Sequence, residues 1–251
     1  MTKKVDSLSV NQYDDRISMG AAAASEVADT VQRLLAKQSA VNMVFAAAPS
    51  QSEFLKILVE RPGIDWTRVN AFHMDEYVGL PADAHQRFGN FLKVRLFDRL
   101  PFRSVNYLNG NATDIVDECR RYASLLLEHP IDIVCMGIGE NCHIAFNDPH
   151  VANFSDPALV KMVDLDAACR QQQVNDNCFV ELAKVPTHAL TLTIPAMMAA
   201  DHVFCMVPGL NKAKAVWHTV YDEITPLYPS TILRTHRHSL LFIDSDSASE
   251  L

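Results

Sequence analysis

Largely apolar runs, each leading into a turn and then a segment with helical spacing, restrict this chain more than any other feature. They are Val41–Phe45, Trp66–Phe72, Ile131–Met136 and His202–Val207, and a fifth, Leu240–Ile243, closes the series. Runs with little polar alternation read as strands buried on both faces, the pattern of a parallel sheet. Strand–turn–helix alternation predicts an α/β protein with a doubly wound, mostly parallel sheet. With 251 residues, no internal repeat and no linker, one domain over residues 1–251 is expected. Helices are expected from Ser18 or Gly20 to Leu35, over 53–60, 86–100 and 113–127, and from Pro208 through Tyr221. In the third of these, Phe88, Phe91, Leu92, Val94, Leu96 and Phe97 form the expected core face. Tyr13 to Ser18 reads as a polar lead-in, and 244–251 as a frayed tail.

In open α/β sheets, ligands bind at loops that follow the strands. Three such loops carry chemistry. After Ile131–Met136 come Gly137 and Gly139, which let the backbone turn and approach a ligand, then His143 and Asp148. Taken alone, this is also what a glycine turn with a surface histidine looks like. After Trp66–Phe72 come Asp75 and Glu76, adjacent carboxylates that are costly to bury unless paired or used. After Val41–Phe45, the turn Ala46–Ser52 opens a helix whose free N–H groups suit an anion, with Ser50 and Gln51 as added donors. A plain helix cap by Ser50 or Ser52 is the alternative.

Composition excludes several classes. The net charge of −8 argues against a nucleic-acid partner. The polar residues 1–16 lack a signal-peptide core, and no run is long and apolar enough to span a membrane. None of the six cysteines forms Cys-x-x-Cys, so reduced thiols and a cytoplasmic location are expected. A Gly-x-Gly-x-x-Gly fingerprint is missing, so no nicotinamide cofactor is expected. Thr235-His-Arg-His238 has no carboxylate pattern and is a weak metal signal, so neither a metal nor another cofactor is expected.

Phe-x-Met-Asp-Glu-Tyr-Val-Gly-Leu at 72–80 and Gly-x-Gly-x-x-x-His-Ile-Ala-Phe-Asn-x-Pro at 137–149 resemble the glucosamine-6-phosphate deaminase (isomerase) family, which is related to the 6-phosphogluconolactonases. The similarity runs from roughly Ala40 to Asp244. It implies a modified Rossmann-like single domain acting on a phosphorylated amino sugar, with homo-oligomerisation left open. It assigns ring opening to His143, oriented by Asn141 and Asp148, and C1/C2 proton transfer to Asp75. It puts Ser50, Gln51, Glu76, Gly137, Gly139 and Lys212 around the substrate.

The chain departs from the family pattern at several positions. Asn141 and Cys142 stand where Asp-Gly is common, and the shorter Asp148 replaces Glu. Ala47-Ala-Pro-Ser-Gln51 replaces a glycine-rich phosphate loop. The family's sugar-phosphate arginine falls near Asn177, with Arg170 as a substitute candidate in an otherwise polar helix segment. These departures keep a non-catalytic sugar-phosphate sensor as the second reading, and a lactonase as a third. After Pro149, the stretch 151–165 offers only Lys161 as a basic residue, which argues against allosteric control by an acetylamino-sugar phosphate.

Overall fold

A computed structural model describes residues 2–251; Met1 of the polar N-terminal stretch lies outside it. In chain order the elements are β1 (Thr2–Val5), β2 (Leu8–Gln12), α1 (Arg16–Leu35), β3 (Val41–Phe45), α2 (Ser52–Glu60), β4 (Val69–His73), β5 (Asp75–Tyr77), α3 (Phe88–Leu92), β6 (Ser104–Asn106), α4 (Ile115–Glu128) and β7 (Ile133–Met136). There follow β8 (Val160–Asp164), α5 (Ala167–Asn175), β9 (His188–Leu192), α6 (Ile194–Met198), β10 (His202–Val207), α7 (Ala213–Tyr221) and β11 (Ser239–Ile243).

Eight strands make the main sheet in the order β1-β2-β11-β10-β7-β3-β4-β6, parallel except for β1. The apolar runs alternate between its two faces, as period-two geometry requires. Val44, Val134, Met136, Val203 and Cys205 pack against Tyr122 of α4 and Val216 of α7 on one face. Met43, Phe45, Ile133, Cys135 and Phe204 pack against Val27 of α1 and Phe54 of α2 on the other. From β3 the chain winds outward through β4 and β6, then returns to place β7 on the other side of β3. The crevice between the carboxyl ends of β3 and β7 is therefore the topological switch point.

Some local expectations needed correction. The N-terminal stretch is a hairpin in which Leu8 and Val10 are buried. Its outer strand, with Lys3 and Lys4, is a charged sheet edge, so it lacks the apolar signature of the interior strands. Helix α1 starts at Arg16 because Asp15 caps it, accepting from the Ser18 N–H while Ser18 Oγ reaches back to the cap. Segment 86–100 is a short α3 followed by π-helical turns over Lys93–Phe97, which rotates Val94 into solvent. The tail is anchored through Ala248. The buried Asp244 carboxylate accepts from the Gly209 and Ser247 N–H groups. Asp75 and Glu76 do not lie in a loop; they form β5 of a second, antiparallel sheet ordered β5-β9-β8, in which Asp75 pairs with Thr191.

Candidate active site

The loops after β3, β7 and β10, with β5 and α5, enclose an open cleft at the switch point. It is lined by Ser50, Asp75, Gly137, Gly139, His143 and Lys212, together with Arg16, Gln172, Gln173, Asp176 and Asn211. Phe88 and Phe146, stacked at 5.4 Å, supply an apolar wall.

The loop after β7 is shaped by what its glycines make room for. A Cβ on Gly139 would lie 2.1–2.4 Å from the His143 ring, so the imidazole occupies the space a side chain would take. A Cβ on Gly137 would meet Gln51 Nε2 at 3.1 Å and the Met206 carbonyl at 3.3 Å. Cys142 has φ 70 and Ala145 φ 47, left-handed conformations that strain a residue with a Cβ by roughly 1–2 kcal/mol each. Three hydrogen bonds hold the loop: Cys142 N–H to the Gly139 carbonyl, Gly139 N–H to the His143 carbonyl, and Ser230 N–H to the Cys142 carbonyl. The Cys142 side chain is buried against α7 rather than turned into the cleft, and all six cysteines are free thiols.

His143 is fixed by its Nδ1, which sits 2.7 Å from Asn141 Oδ1 and 3.1 Å from Asp148 Oδ1. Both are acceptors there, so Nδ1 carries the proton and Nε2 keeps its lone pair. The orientation of the Asn141 amide is itself determined. Its Nδ2 donates to Asp148 Oδ1 at 3.0 Å and lies 3.4 Å from Asp166 Oδ2, which leaves Oδ1 to face the histidine. Burial pushes the Asp148 carboxyl up, but hydrogen bonds and charge from His143, with the Asn141 amide, hold it below its usual range. Glu140 does not add charge here. Its carboxylate accepts from Asn211 Nδ2 at 2.8 Å, across the cleft rim.

Asp75 lines the same cleft, and its Oδ1 is buried with no hydrogen-bond partner among the described residues. Burial first, then the neighbouring Glu76, raises its pKa well above the ordinary carboxylate range. Lys212, only 5% exposed, stands at the end of the turn Leu210–Lys212 and forms no ion pair among the described residues. Burial lowers its pKa, opposed by Asp176 and Glu140. A buried cation without a partner is costly unless an anion neutralises it.

Three expected substrate contacts lie elsewhere. The Glu76 carboxylate points away from the cleft and accepts from the Tyr77, Phe88 and Gly89 N–H groups, anchoring the start of α3. Gln51 sits behind Ser50, donating to Ser50 Oγ and the Met206 carbonyl. Arg170 turns away from the cleft and donates to the Leu182 and Val185 carbonyls. The same helix instead offers Gln172, Gln173 and Asp176 to the cleft, with Gln172 Oε1 accepting from the Glu140 N–H at 2.8 Å. Its polarity therefore marks a wall of the site. Neither Ser50 nor Ser52 caps a helix with its side chain. Arg16 and Asp166 gave no motif signal, because each reaches the site from an element remote in sequence.

A doubly wound α/β domain with a histidine–carboxylate pair, a buried unpaired carboxylate and a buried lysine at one strand-end cleft defines a Rossmann-like protein built to handle a small anionic ligand. The chain belongs to the glucosamine-6-phosphate isomerases/6-phosphogluconolactonase family, whose model matches residues 14–242. It is 33% identical over 245 residues to a glucosamine-6-phosphate deaminase of Streptococcus pyogenes serotype M1, covering 97% of this chain and all of that one. It is 37% identical over 186 residues to a glucosamine-6-phosphate deaminase of Bacillus cereus (strain B4264), covering 74% of this chain and 69% of that one. A solved monomeric glucosamine-6-phosphate deaminase superposes with a TM-score of 0.87 at 26% identity, over 96% of this chain and 99% of that one. A 6-phosphogluconolactonase from Thermotoga maritima shares the fold, with a TM-score of 0.77 at 20% identity over 96% of this chain and 100% of that one. No helix among the described residues is long and apolar enough to cross a membrane.

Proposed function

We propose that this protein is an amino-sugar-6-phosphate deaminase/isomerase, converting glucosamine 6-phosphate or a close analogue to the ketose phosphate and ammonia. The observation that carries this is the buried, unpartnered carboxylate of Asp75 in the same cleft as His143 and the unpaired Lys212. Lys212 and the Ser50 turn hold the phosphate. With Nδ1 protonated, His143 Nε2 takes the anomeric hydroxyl proton and returns a proton to the ring oxygen, opening the pyranose. Asp148 and Asn141 keep the ring oriented and stabilise the imidazolium that forms. Asp75 then removes the proton from C2 of the open-chain aldehyde and delivers it to C1 of the resulting enolamine, while a proton of the C2 amine passes to O1. This leaves an imine at C2, and water replaces its nitrogen, releasing ammonia. A carboxylate held above its ordinary range is a stronger base once ionised, which suits abstraction of a carbon-bound proton.

The test is ammonia and ketose 6-phosphate formation from glucosamine 6-phosphate and its epimers, with solvent deuterium exchange at carbon followed by NMR. Asp75→Asn is expected to abolish the exchange, while His143→Gln retains a slow exchange through the small open-chain fraction of substrate. Tight binding of a sugar phosphate without ammonia release or exchange would establish the sensor reading instead. Hydrolysis of a 6-phosphogluconolactone without ammonia release from any amino sugar would establish the lactonase.

A further inference from the structure

The cleft contains two cations, Arg16 and Lys212, contributed by elements almost two hundred residues apart in the chain. Both sit at helix N-termini: Arg16 is the first residue of the 20-residue α1, next to its Asp15 cap, and Lys212 immediately precedes α7, which has no side-chain cap. Asp15 already places a carboxylate at the α1 terminus, whereas Lys212 opposes the α7 dipole with no acidic cap, and an anion beside it relieves that. The hydrogen bonds of Arg16 all run through Nη2, to the Pro49 carbonyl at 3.3 Å and to Glu53 Oε2 at 3.0 Å. The first ties the guanidinium to the turn that carries Ser50. Among the described residues, Nη1 and Nε have no hydrogen-bond partner. A phosphate monoester brings close to two negative charges, and Asp176 sets its own charge against that of Lys212. One lysine therefore leaves the anion under-neutralised.

We propose that Arg16 is the second phosphate-binding cation of this cleft, gripping the substrate's phosphate opposite Lys212 through its free guanidinium N–H groups. This rests on the function proposed above and extends it to a residue outside every motif of the chain. It also accounts for a proline-containing turn with few free N–H groups at 49–51: an arginine from α1 supplies donors that the turn lacks.

The experiment measures binding of inorganic phosphate and of fructose 6-phosphate, alongside kcat and KM, for the parent, Arg16→Gln, Arg16→Lys, Glu53→Gln and Lys212→Gln, with thermal melts as the folding control. Arg16→Gln is expected to weaken both ligands and to raise KM by about 10- to 100-fold, the worth of one charge-assisted hydrogen bond, with kcat changed by less than about threefold. Arg16→Lys should recover part of that loss. Glu53→Gln, which frees the guanidinium from its ion pair, should leave affinity equal or improved. Phosphate affinity in Arg16→Gln within twofold of the parent would overturn the proposal, as would equal losses in Arg16→Gln and Glu53→Gln, because the ion pair would then be the whole effect. Arginine-dependent phosphate binding in a parent that releases no ammonia would uphold this site and sink the deaminase reading. A parent with no affinity for either ligand would sink both.

Discussion

Restoring the family's usual acid at position 141 is expected to damage this protein. The Asn141 amide donates to Asp148 at 3.0 Å and faces Asp166 at 3.4 Å. Asn141→Asp turns both contacts into encounters between carboxylates. At an effective dielectric of about 20, like charges at those separations repel by about 5 kcal/mol each. Protonation caps the cost, because lifting one carboxyl from its ordinary pKa of about 4 to above pH 7 costs roughly 4 kcal/mol. The net penalty at pH 8 is therefore about 2–4 kcal/mol, or a melting temperature lowered by about 5–12 °C. The raised carboxyl makes this deficit grow as pH rises through its folded pKa and shrink below it, so the variant should approach the parent's stability near pH 5. Thermal melts of Asn141→Asp, Asp166→Asn and the double variant from pH 5 to 8 measure the coupling directly. The double variant should regain only part of the loss at pH 8, because the closer encounter, with Asp148 at 3.0 Å, remains. An Asn141→Asp protein as stable as the parent at pH 8, with faster turnover, would refute the reasoning.

Three further outcomes follow from the site. Asp75→Asn removes a carboxyl whose pKa burial and Glu76 hold well above the usual range. Ionising that group costs stability as pH rises, so the variant should melt a few degrees above the parent at pH 8 and lose that advantage toward pH 5, read by scanning calorimetry. Gly139→Ala puts a methyl within 2.1 Å of the His143 ring. Displacing the imidazole should lower kcat by about 10²-fold while KM stays within a few-fold, measured by steady-state ammonia release. Cys142→Gly relieves the left-handed backbone but gives up a buried side chain, and these offset, so its melting temperature should stay within about 3 °C of the parent. Cys142→Val, β-branched at the same φ, should melt distinctly lower in the same thermal scans.

What the sequence shows and hides follows from how each element is stabilised. The interior strands β3, β7, β10 and β11 are apolar on both faces, so their pattern is visible without the fold. The hairpin β1-β2 is an edge, half solvated, and its lysines mask it. Helix α5 has polar residues facing a polar cleft, which sequence periodicity cannot distinguish from residues facing water. His143, Asp75 and Lys212 were legible because each follows a readable strand closely. Asp166 was not, since its contact with Asn141 depends on where the β8–α5 junction docks. Gln51 and Arg170 were read into the cleft because sequence gives a side chain's place along the chain, while its direction is set by partners such as the Met206 and Val185 carbonyls.

The three-residue strand β5 decides which of two adjacent acids faces the cleft. Neighbouring residues on a strand point to opposite faces, so sliding β5 by one position against β9 would exchange Asp75 and Glu76. The longer side chain would then stand in the cleft and the shorter one at the start of α3. Three residues cannot fix a register by themselves. It is locked from outside: the Glu76 carboxylate grips the Tyr77, Phe88 and Gly89 N–H groups, and a Cβ on Gly110 would fall 1.9 Å from the Tyr77 carbonyl. Glu76 thus works as a ratchet pawl, holding its neighbour's carboxylate in the cleft, where the proposed proton transfer would take place.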